Sequence, residues 1–485
     1  MVYRHSLPHP ASGGIVSLKF FNTLSRSLEE FKEIHPGEIG LYTCGPTVYD
    51  YNHIGNFRAY VFEDLAKRYL IHRGFRVHHV MNITDIDDKT IRKANELKVS
   101  LKEATDIYIQ AFFADMETLN IRKADIYPRA TDHIPEMVAL IETLLEKGYA
   151  YRKEGSIYFS IAKFPRYGRL SWIEADHLKS GLRVDVDEYG KENVQDFALW
   201  KSRKEGEPFW STAIGEGRPG WHIECSAMSM KYLGPSFDIH MGGVDNIFPH
   251  HENEIAQSEC ATGVTFVNYW LHCQHLVVNN QKMSKSLGNQ YTLRDLAERG
   301  HDPLAIRYLL AASHYRKPLN FTFENLRMAA EALARINDFV FDLQRPRPAK
   351  GEAASTIRQL IAENHAAFCQ NMDDDLNVSG ALGIFFDFIS GVNRLRETLG
   401  QEDVDRVRAY VRGIDSVLGV LRPERRENLE EEILAKIHLR EEARRRKDFV
   451  LADRIRQELK EGGIQLLDTP EGVRWKVERE GATST

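Results

Sequence analysis

The apolar positions change period several times along the chain, and each change predicts an element. Residues 38–44 (EIGLYTC) read as a short apolar strand closed by a Gly-Pro turn at Gly45–Pro46. From about Asn56, the run NFRAYVFEDLAKRYLIHRG sets Phe57, Val61, Leu65 and Tyr69 at i, i+4, an amphipathic helix that Gly74 stops. FRVHHVMNI (75–83) is a second strand, and TDIDDKTIRKANEL opens another helix with Thr84 or Asp85 as its cap. A strand–helix–strand unit of this length implies a parallel sheet with a right-handed crossover.

From about 136 to 240 the rhythm breaks into short strand-like pieces such as SIYFS (156–160), Gly/Pro turns and the irregular GEPFWSTAIGEGRPGW, which reads as an insertion into the sheet domain. Beyond about 325 the pattern is helical, with Leu333, Ile336, Phe339 and Val340 opening a periodic run. PRPAKGEAAS (346–355) looks like a linker. Residues 425–461 are densely charged, and Arg444, Arg445, Arg446 and Lys447 form a basic tetrad that reads as a solvated helix face or a phosphate contact. Strand-like GIQLLDT and GVRWKV and a polar tail follow.

At 485 residues the chain exceeds what one core holds, so several domains are expected. No apolar run reaches the ~18 residues of a membrane span, and MVYRHSLPHPASGG has neither an apolar h-region nor an Arg/Ser-rich amphipathic pattern. The five cysteines are scattered without a CxxC, which points to a reducing compartment. A net charge of −6 gives no global basic signal, so an RNA ligand would need local patches.

Two short motifs suit a polyphosphate. His53-Ile54-Gly55-Asn56 lies where a loop becomes the first helix, whose N-terminus offers unpaired N–H groups and the positive end of its dipole. Lys282-Met283-Ser284-Lys285-Ser286, flanked by loop and hinge residues Asn279-Asn280 and Gly288-Asn289, puts two lysines where they can close over phosphates. Gly215-Glu216-Gly217-Arg218-Pro219-Gly220 satisfies GxGxxG, but no clear strand precedes it and Pro219 interrupts the helix start, so it reads as a turn. Six of the 19 histidines fall between His222 and His275. On a helix after Pro249, His250 and Glu254 share a face, and Cys44 and Cys225 would complete a set of two thiolates, one imidazole and one carboxylate suited to Zn²⁺. By spacing alone His251, Glu252 and His222 compete for the same role.

Several long blocks resemble the cysteinyl-tRNA synthetases: LYTCGPTVYDYNHIGN (41–56), NITDIDDK (82–89), RPGWHIECSAMS (218–229), FDIHMGGVDNIFPHHENEIAQSE (237–259), NYWLH (268–272), KMSKSLGN (282–289), MDDDLN (372–377) and KDFVLADRIRQEL…GIQLLDTPEGVRWK (447–476). The resemblance runs from about Leu18 to Lys476, with Asn56 standing where the HIGH signature has its second histidine. It implies an α/β fold: a Rossmann-type doubly wound core (18–135 and 241–324) after an N-terminal extension (1–17), with an inserted connective subdomain (136–240). A tRNA-binding helical bundle (325–422) and an anticodon-binding module (423–485) would follow. It implies ATP with Mg²⁺, L-cysteine and tRNA(Cys) as ligands, and a cytoplasmic, monomeric enzyme working through cysteinyl-adenylate. His53, Gly55, Asn56 and Lys285 would hold ATP, with Lys282 and Lys285 in the catalytic loop. Cys44, Cys225, His250 and Glu254 map onto the family's zinc ligands, with zinc binding the substrate thiolate against serine. Thr84 and Trp221 are candidates for the amino-acid pocket, Trp221 otherwise being aromatic core. Cys260, Cys273 and Cys369 read as packing residues. A ligase joining cysteine to a small amino-sugar shares this core but would lack most of the C-terminal module. A non-catalytic tRNA-binding homologue fits poorly with an intact lysine loop and four ligands.

Overall fold

The computed structural model describes residues 17–172, 196–284, 287–345, 347–349, 351–421, 427–446, 448–461, 464–469 and 472–477. Lys285, Ser286 and Lys447, which the sequence singles out, lie outside them. The chain divides into two units, Met1–Leu293 with Pro303–Val420, and Arg294–Asp302 with Leu421–Thr485.

The first unit is built on strand β1 (Glu38–Thr43). Helix α1 (Ile54–His72) carries the chain to β2 (Arg76–Met81), which pairs in parallel with β1 from Glu38↔Arg76 to Thr43↔Met81. Helices α2 (Asp88–Leu97), α3 (Leu101–Thr118) and α4 (Ile134–Glu146) follow. The cap of α2 is Asp87, whose carboxylate accepts the N–H groups of Lys89 and Thr90 at 2.8 Å, and not Thr84 or Asp85. Thr84 is still extended, its N–H donating to Pro46 O at 3.1 Å, while the Asp85 carboxylate caps Thr131.

An antiparallel sheet interrupts the parallel one: β3 (Ala150–Lys153), β4 (Ser156–Phe159), β5 (Phe197–Ser202), β6 (Trp210–Thr212) and β7 (Gly215–Pro219), in the order β3-β4-β5-β7-β6. The GxGxxG stretch is therefore mostly a strand and not a turn. Gly217 answers a different need, because a Cβ there would lie 2.1 Å from Lys201 O on the neighbouring strand. Helix α5 (Trp221–Leu233) leads to β8 (Phe237–Gly243), which pairs in parallel with β1 and with β9 (Val267–Cys273); α6 (Glu252–Thr262) connects the two. The return to the parallel sheet thus comes at Phe237, and residues 221–240, expected in the insertion, supply part of the core.

The parallel sheet has the order β9-β8-β1-β2. Consecutive connections leave β1 in opposite directions, so the carboxyl ends of β1 and β8 form the switch point where open α/β sheets bind ligands. A small sheet follows, β11-β10-β12, from β10 (Leu276–Val278), β11 (Gln281–Lys282) and β12 (Leu319–Phe321). Asn279 and Asn280 both have positive φ (50° and 60°), the two-residue primed turn of a tight hairpin rather than a hinge. Helices α7 (Pro303–Ala312), α8 (Phe323–Asp342), α9 (Ala354–Asp373), α10 (Val378–Arg394) and α11 (Gln401–Leu418) complete this unit.

Helix α1 is buried nearly all round, not amphipathic as its apolar spacing predicts. Phe57, Val61, Leu65 and Tyr69 do face the core, but the polar side is covered as well. Asp64 there accepts from Arg68 Nε (2.7 Å) and from the fully buried Arg307 of α7 (2.6 Å), and Arg58 donates to the carbonyls of Ser313 and His314 at 3.0 Å each. The burial of Asp64, Arg68, Arg307 and Arg58 is offset by these bonds.

The second unit contains all but the first residue of a short helix (Leu293–Glu298), together with α12 (Glu427–Arg445), α13 (Phe449–Glu461) and the hairpin β13 (Ile464–Thr469) with β14 (Gly472–Val477). Arg444, Arg445 and Arg446 are exposed at the end of α12. No helix among the described residues is long and apolar enough to cross a membrane.

Candidate metal and nucleotide site

Three chain segments bring metal-binding side chains to the carboxyl edge of the sheet. Cys44 follows β1 directly, and its N–H donates to Met241 O on β8 at 3.3 Å. The next residue must be glycine: a Cβ there would sit 1.8 Å from Asn82 O, and the Gly45 N–H donates to Asn82 Oδ1 at 2.9 Å. Cys225 comes from the second turn of α5. His250 lies in the helical turn Ile247–His251 after β8, and Glu254 lies in the first turn of α6. Ligand atoms of Cys44, Cys225, His250 and Glu254 all fall within 4.8 Å of one another.

A second set, Cys44, His240, His251 and Glu254, meets the same criterion. Hydrogen bonding separates the two. His240 Nε2 is 3.0 Å from Glu254 Oε2, and His251 Nδ1 is 2.8 Å from His272 Nε2. His272 Nδ1 in turn reaches Thr23 Oγ1 at 2.7 Å. His251 Nε2 lies 3.2 Å from Cys44 Sγ, so these rings back the cysteine and the glutamate as outer partners. His250 Nδ1 is held 2.9 Å from His222 Nδ1, and this leaves His250 Nε2 aimed at Glu254 Oε1, 3.1 Å away. That fully buried Oε1 has no hydrogen-bond partner among the described residues. Glu252 is excluded as a ligand: its carboxylate accepts the N–H groups of Gly168, Leu170 and Ser171.

Burial sets the protonation states. It pushes His250, His240 and His272 down to about 3, so the rings are neutral and can offer lone pairs. It raises Glu254 to about 7, against the pull of His250, and raises the thiols of Cys44 and Cys225. Two thiols, an imidazole and an orphaned carboxylate oxygen, packed where water is excluded, are costly unless a cation joins them. The donor set therefore fits Zn²⁺.

Beside this cluster, His53 is the N-cap of α1. Asn56 N–H donates to His53 Nδ1 (3.2 Å) and His53 N–H to Asn56 Oδ1 (3.1 Å), a reciprocal capping box. Asn56 Oδ1 is thus engaged in the cap while its Nδ2 is not part of it, and with Nδ1 accepting, the ring N–H of His53 is at Nε2. The lysine loop meets this turn: Ile54 N–H donates to Tyr291 O at 2.9 Å, His53 bridges to Thr292, and a Cβ on Gly55 would lie 2.7 Å from Met283 Cε. Lys282, at the end of β11, is exposed, and Asn289 ties the loop by accepting Ser284 N–H (2.8 Å) and donating to Lys282 O (3.2 Å).

Thr84 is buried and donates to Glu224 Oε2 at 2.9 Å, accepting from Asn82 Nδ2 at 3.1 Å. Trp221 is 43 % exposed and stacks on His250 at 4.2 Å, which makes it a wall of the cluster and not core. Cys260 and Cys273 are buried, and Cys369 is half-buried beside His365. Sequence reasoning missed Glu224, His240 and His272; the density of histidines between 222 and 275 was the one available signal.

A parallel sheet with paired nucleotide motifs at its switch point defines the class of a class I aminoacyl-tRNA synthetase, and the family model "tRNA synthetases class I (C) catalytic domain" matches residues 30–331, with a "DALR domain" over 367–422. Solved structures share the fold at low identity. LeuRS of Agrobacterium radiobacter K84, in a ternary complex with tRNA and LeuAMS, has a TM-score of 0.58 at 11% identity over 80% of this chain and 85% of its own. Methionyl-tRNA synthetase of Mycobacterium tuberculosis bound by methionyl-adenylate has 0.56 at 15%, over 79% and 90%. The chain belongs to the cysteine--tRNA ligase family: it is 47% identical to that enzyme of Brachyspira hyodysenteriae over 94% of this chain and 98% of the relative, and 48% identical to that of Chlamydia muridarum over 95% and 100%.

Proposed function

We propose that this protein charges tRNA(Cys) with L-cysteine in two steps, adenylation by Mg-ATP and transfer to the terminal ribose. The cluster of Cys44, Cys225, His250 and Glu254 at the carboxyl edge of the sheet carries this reading. A Zn²⁺ held by these four side chains would supply a soft acceptor for a thiol, which distinguishes cysteine from serine where shape cannot.

The chain's own residues do the rest. The N-terminus of α1 and His53 Nε2–H meet phosphate oxygens, with Asn56 fixing the His53 ring in place. Lys282 and Lys285 neutralise charge that develops as the cysteine carboxylate displaces pyrophosphate from the α-phosphorus. Trp221 walls the side-chain pocket, and Thr84, aligned by Glu224, faces the bound amino acid. Little covalent chemistry falls to the protein, so positioning dominates. Residues 325–422 and 423–485 would grip the tRNA, the latter at its anticodon, and the enzyme would act as a cytoplasmic monomer.

Pyrophosphate exchange run with each amino acid in turn tests the reading. Exchange that depends on cysteine and is negligible with serine is the expected outcome. Exchange with another amino acid, or none with cysteine, would overturn it.

A further inference from the structure

A second group of metal-binding side chains lies away from the sheet edge. His72 is the last residue of α1, and His365 and Cys369 stand one turn apart on α9. One ligand atom from each falls within 4.8 Å of the other two. Cys369 Sγ is 3.7 Å from His365 Nε2, and the rings of His72 and His365 meet edge-on at 5.5 Å and 63°. All three residues are half-buried. The His365 Nδ1 atom is shielded from solvent yet has no hydrogen-bond partner among the described residues. The ring nitrogen turned to the Cys369 thiol is the other one, Nε2, and with Nδ1 unbonded among the described residues no hydrogen bond on that side fixes the ring against a cation at the thiol.

The surroundings hold these side chains in place without any metal. The Tyr69 hydroxyl donates to the Cys369 carbonyl (3.1 Å) and to Asp373 Oδ1 (2.6 Å), and the Arg73 guanidinium pairs with the same Asp373 carboxylate. Tyr69 also stacks on the His72 ring at 6.2 Å, and Tyr410 meets His365 edge-on at 6.2 Å. The clasp fixes α1 against α9, and it neutralises Arg73, the cation nearest the cluster.

We propose that His72, His365 and Cys369 form a second zinc site, distinct from the one at the sheet edge. Two imidazoles and a thiolate are a borderline-soft set matched to Zn²⁺, and half-exposure leaves the fourth tetrahedral position to water. The ion would join the far end of the helix that begins at His53 to the helical bundle. Its role is to brace that junction, since no nucleotide motif lies near it.

The chelator-stripped full-length chain, reloaded with excess Zn²⁺ and gel-filtered, provides the test by elemental analysis. The parent should carry one equivalent more than Cys369→Ser, and His72→Asn should match Cys369→Ser. Cysteine-dependent pyrophosphate exchange should be unchanged in both. In a Cys225→Ser background, added Zn²⁺ should still raise the urea midpoint, and adding Cys369→Ser should abolish that rise. Co²⁺ loading should give a thiolate charge-transfer band in Cys225→Ser that disappears in the double variant. Equal zinc content in parent and Cys369→Ser, or the same Co²⁺ spectrum with and without Cys369, would overturn the site. These readouts do not depend on what the sheet-edge cluster does.

Discussion

Single side chains in this molecule are set mainly by desolvation. Cys225 is fully buried between Cys44 and Glu254, where serine would fill the same space with a harder donor. Cys225→Ser is therefore expected to lose the sheet-edge zinc and raise KM for cysteine together, leaving ATP binding intact. His272→Ala removes a partner of His251, which is itself an outer partner of Cys44, and should weaken metal binding by less than the ~10–100-fold expected for a group bonded to a ligand directly. Zinc analysis beside KM for both substrates checks the ranking. Glu63, on the buried face of α1, makes a different case. Burial pushes its carboxyl well above the usual carboxylate range, and Thr43, the neighbour opposing this, is also within 2.9 Å of His79 Nε2. A raised folded-state pKa means stability that is complete below the unfolded value of about 4.5 and is lost as pH rises. Glu63→Gln should thus match the parent in urea at pH 4 and exceed it increasingly toward pH 8.

At the level of elements, the inserted sheet is clasped to the core through one carboxylate. Asp88, at the first position of α2, pairs with Lys201 on β5 (2.9 Å) and with Arg218 on β7. Both cations are buried while Asp88 is half exposed, and Arg218 keeps Glu207 at 2.9 Å, so Asp88→Asn removes a shared charge without leaving Arg218 alone; about 1 kcal/mol of stability is the expected loss, discounted for that exposure. Although burial opposes it, Lys201 and Arg218 hold the Asp88 carboxyl down at about 2. Its contribution is present above the ordinary 3.8 and is lost as pH falls toward 2, which a urea titration of parent and variant across pH 2–5 would read. The elements of the core were legible because strand 38–43 is a short apolar run bounded by Gly and Pro, strand 76–81 follows the helix-stopping Gly74, and α1 has a clean i, i+4 stripe. The cap of α2 was not, since Thr84, Asp85 and Asp87 are all good caps and only the bonds of Thr84 to Pro46 and Asp85 to Thr131 decide among them. The strand at 215–219 was hidden because Gly217 serves an interstrand approach that leaves no mark in a local pattern. At the site, the i, i+4 spacing of His250 and Glu254 could be read. Which of six histidines backs which ligand could not, because the answer depends on three distant strands meeting.

For the whole molecule, the division into two units makes a truncation informative. A chain ending at Arg422 keeps the sheet, both nucleotide motifs and the helices through α11, and loses α12, α13 and the terminal hairpin. It should still form adenylate but charge tRNA poorly, and parental charging efficiency would show that the lost segment does not serve RNA. Sheet order has a further consequence, for how the chain is made. Strand β1 is completed on one edge only when β8 arrives, about 200 residues later, as Leu41↔Ile239 shows. At ~5–20 residues per second, a ribosome takes roughly 10–40 s to cover that interval. Throughout it the nascent chain carries a one-sided apolar strand with an open hydrogen-bonding edge, the kind of surface that seeks other strands. Chains stalled on the ribosome before residue 237 should accordingly bind a holdase chaperone and resist release, whereas those stalled far enough past residue 273 to expose β9 should let it go.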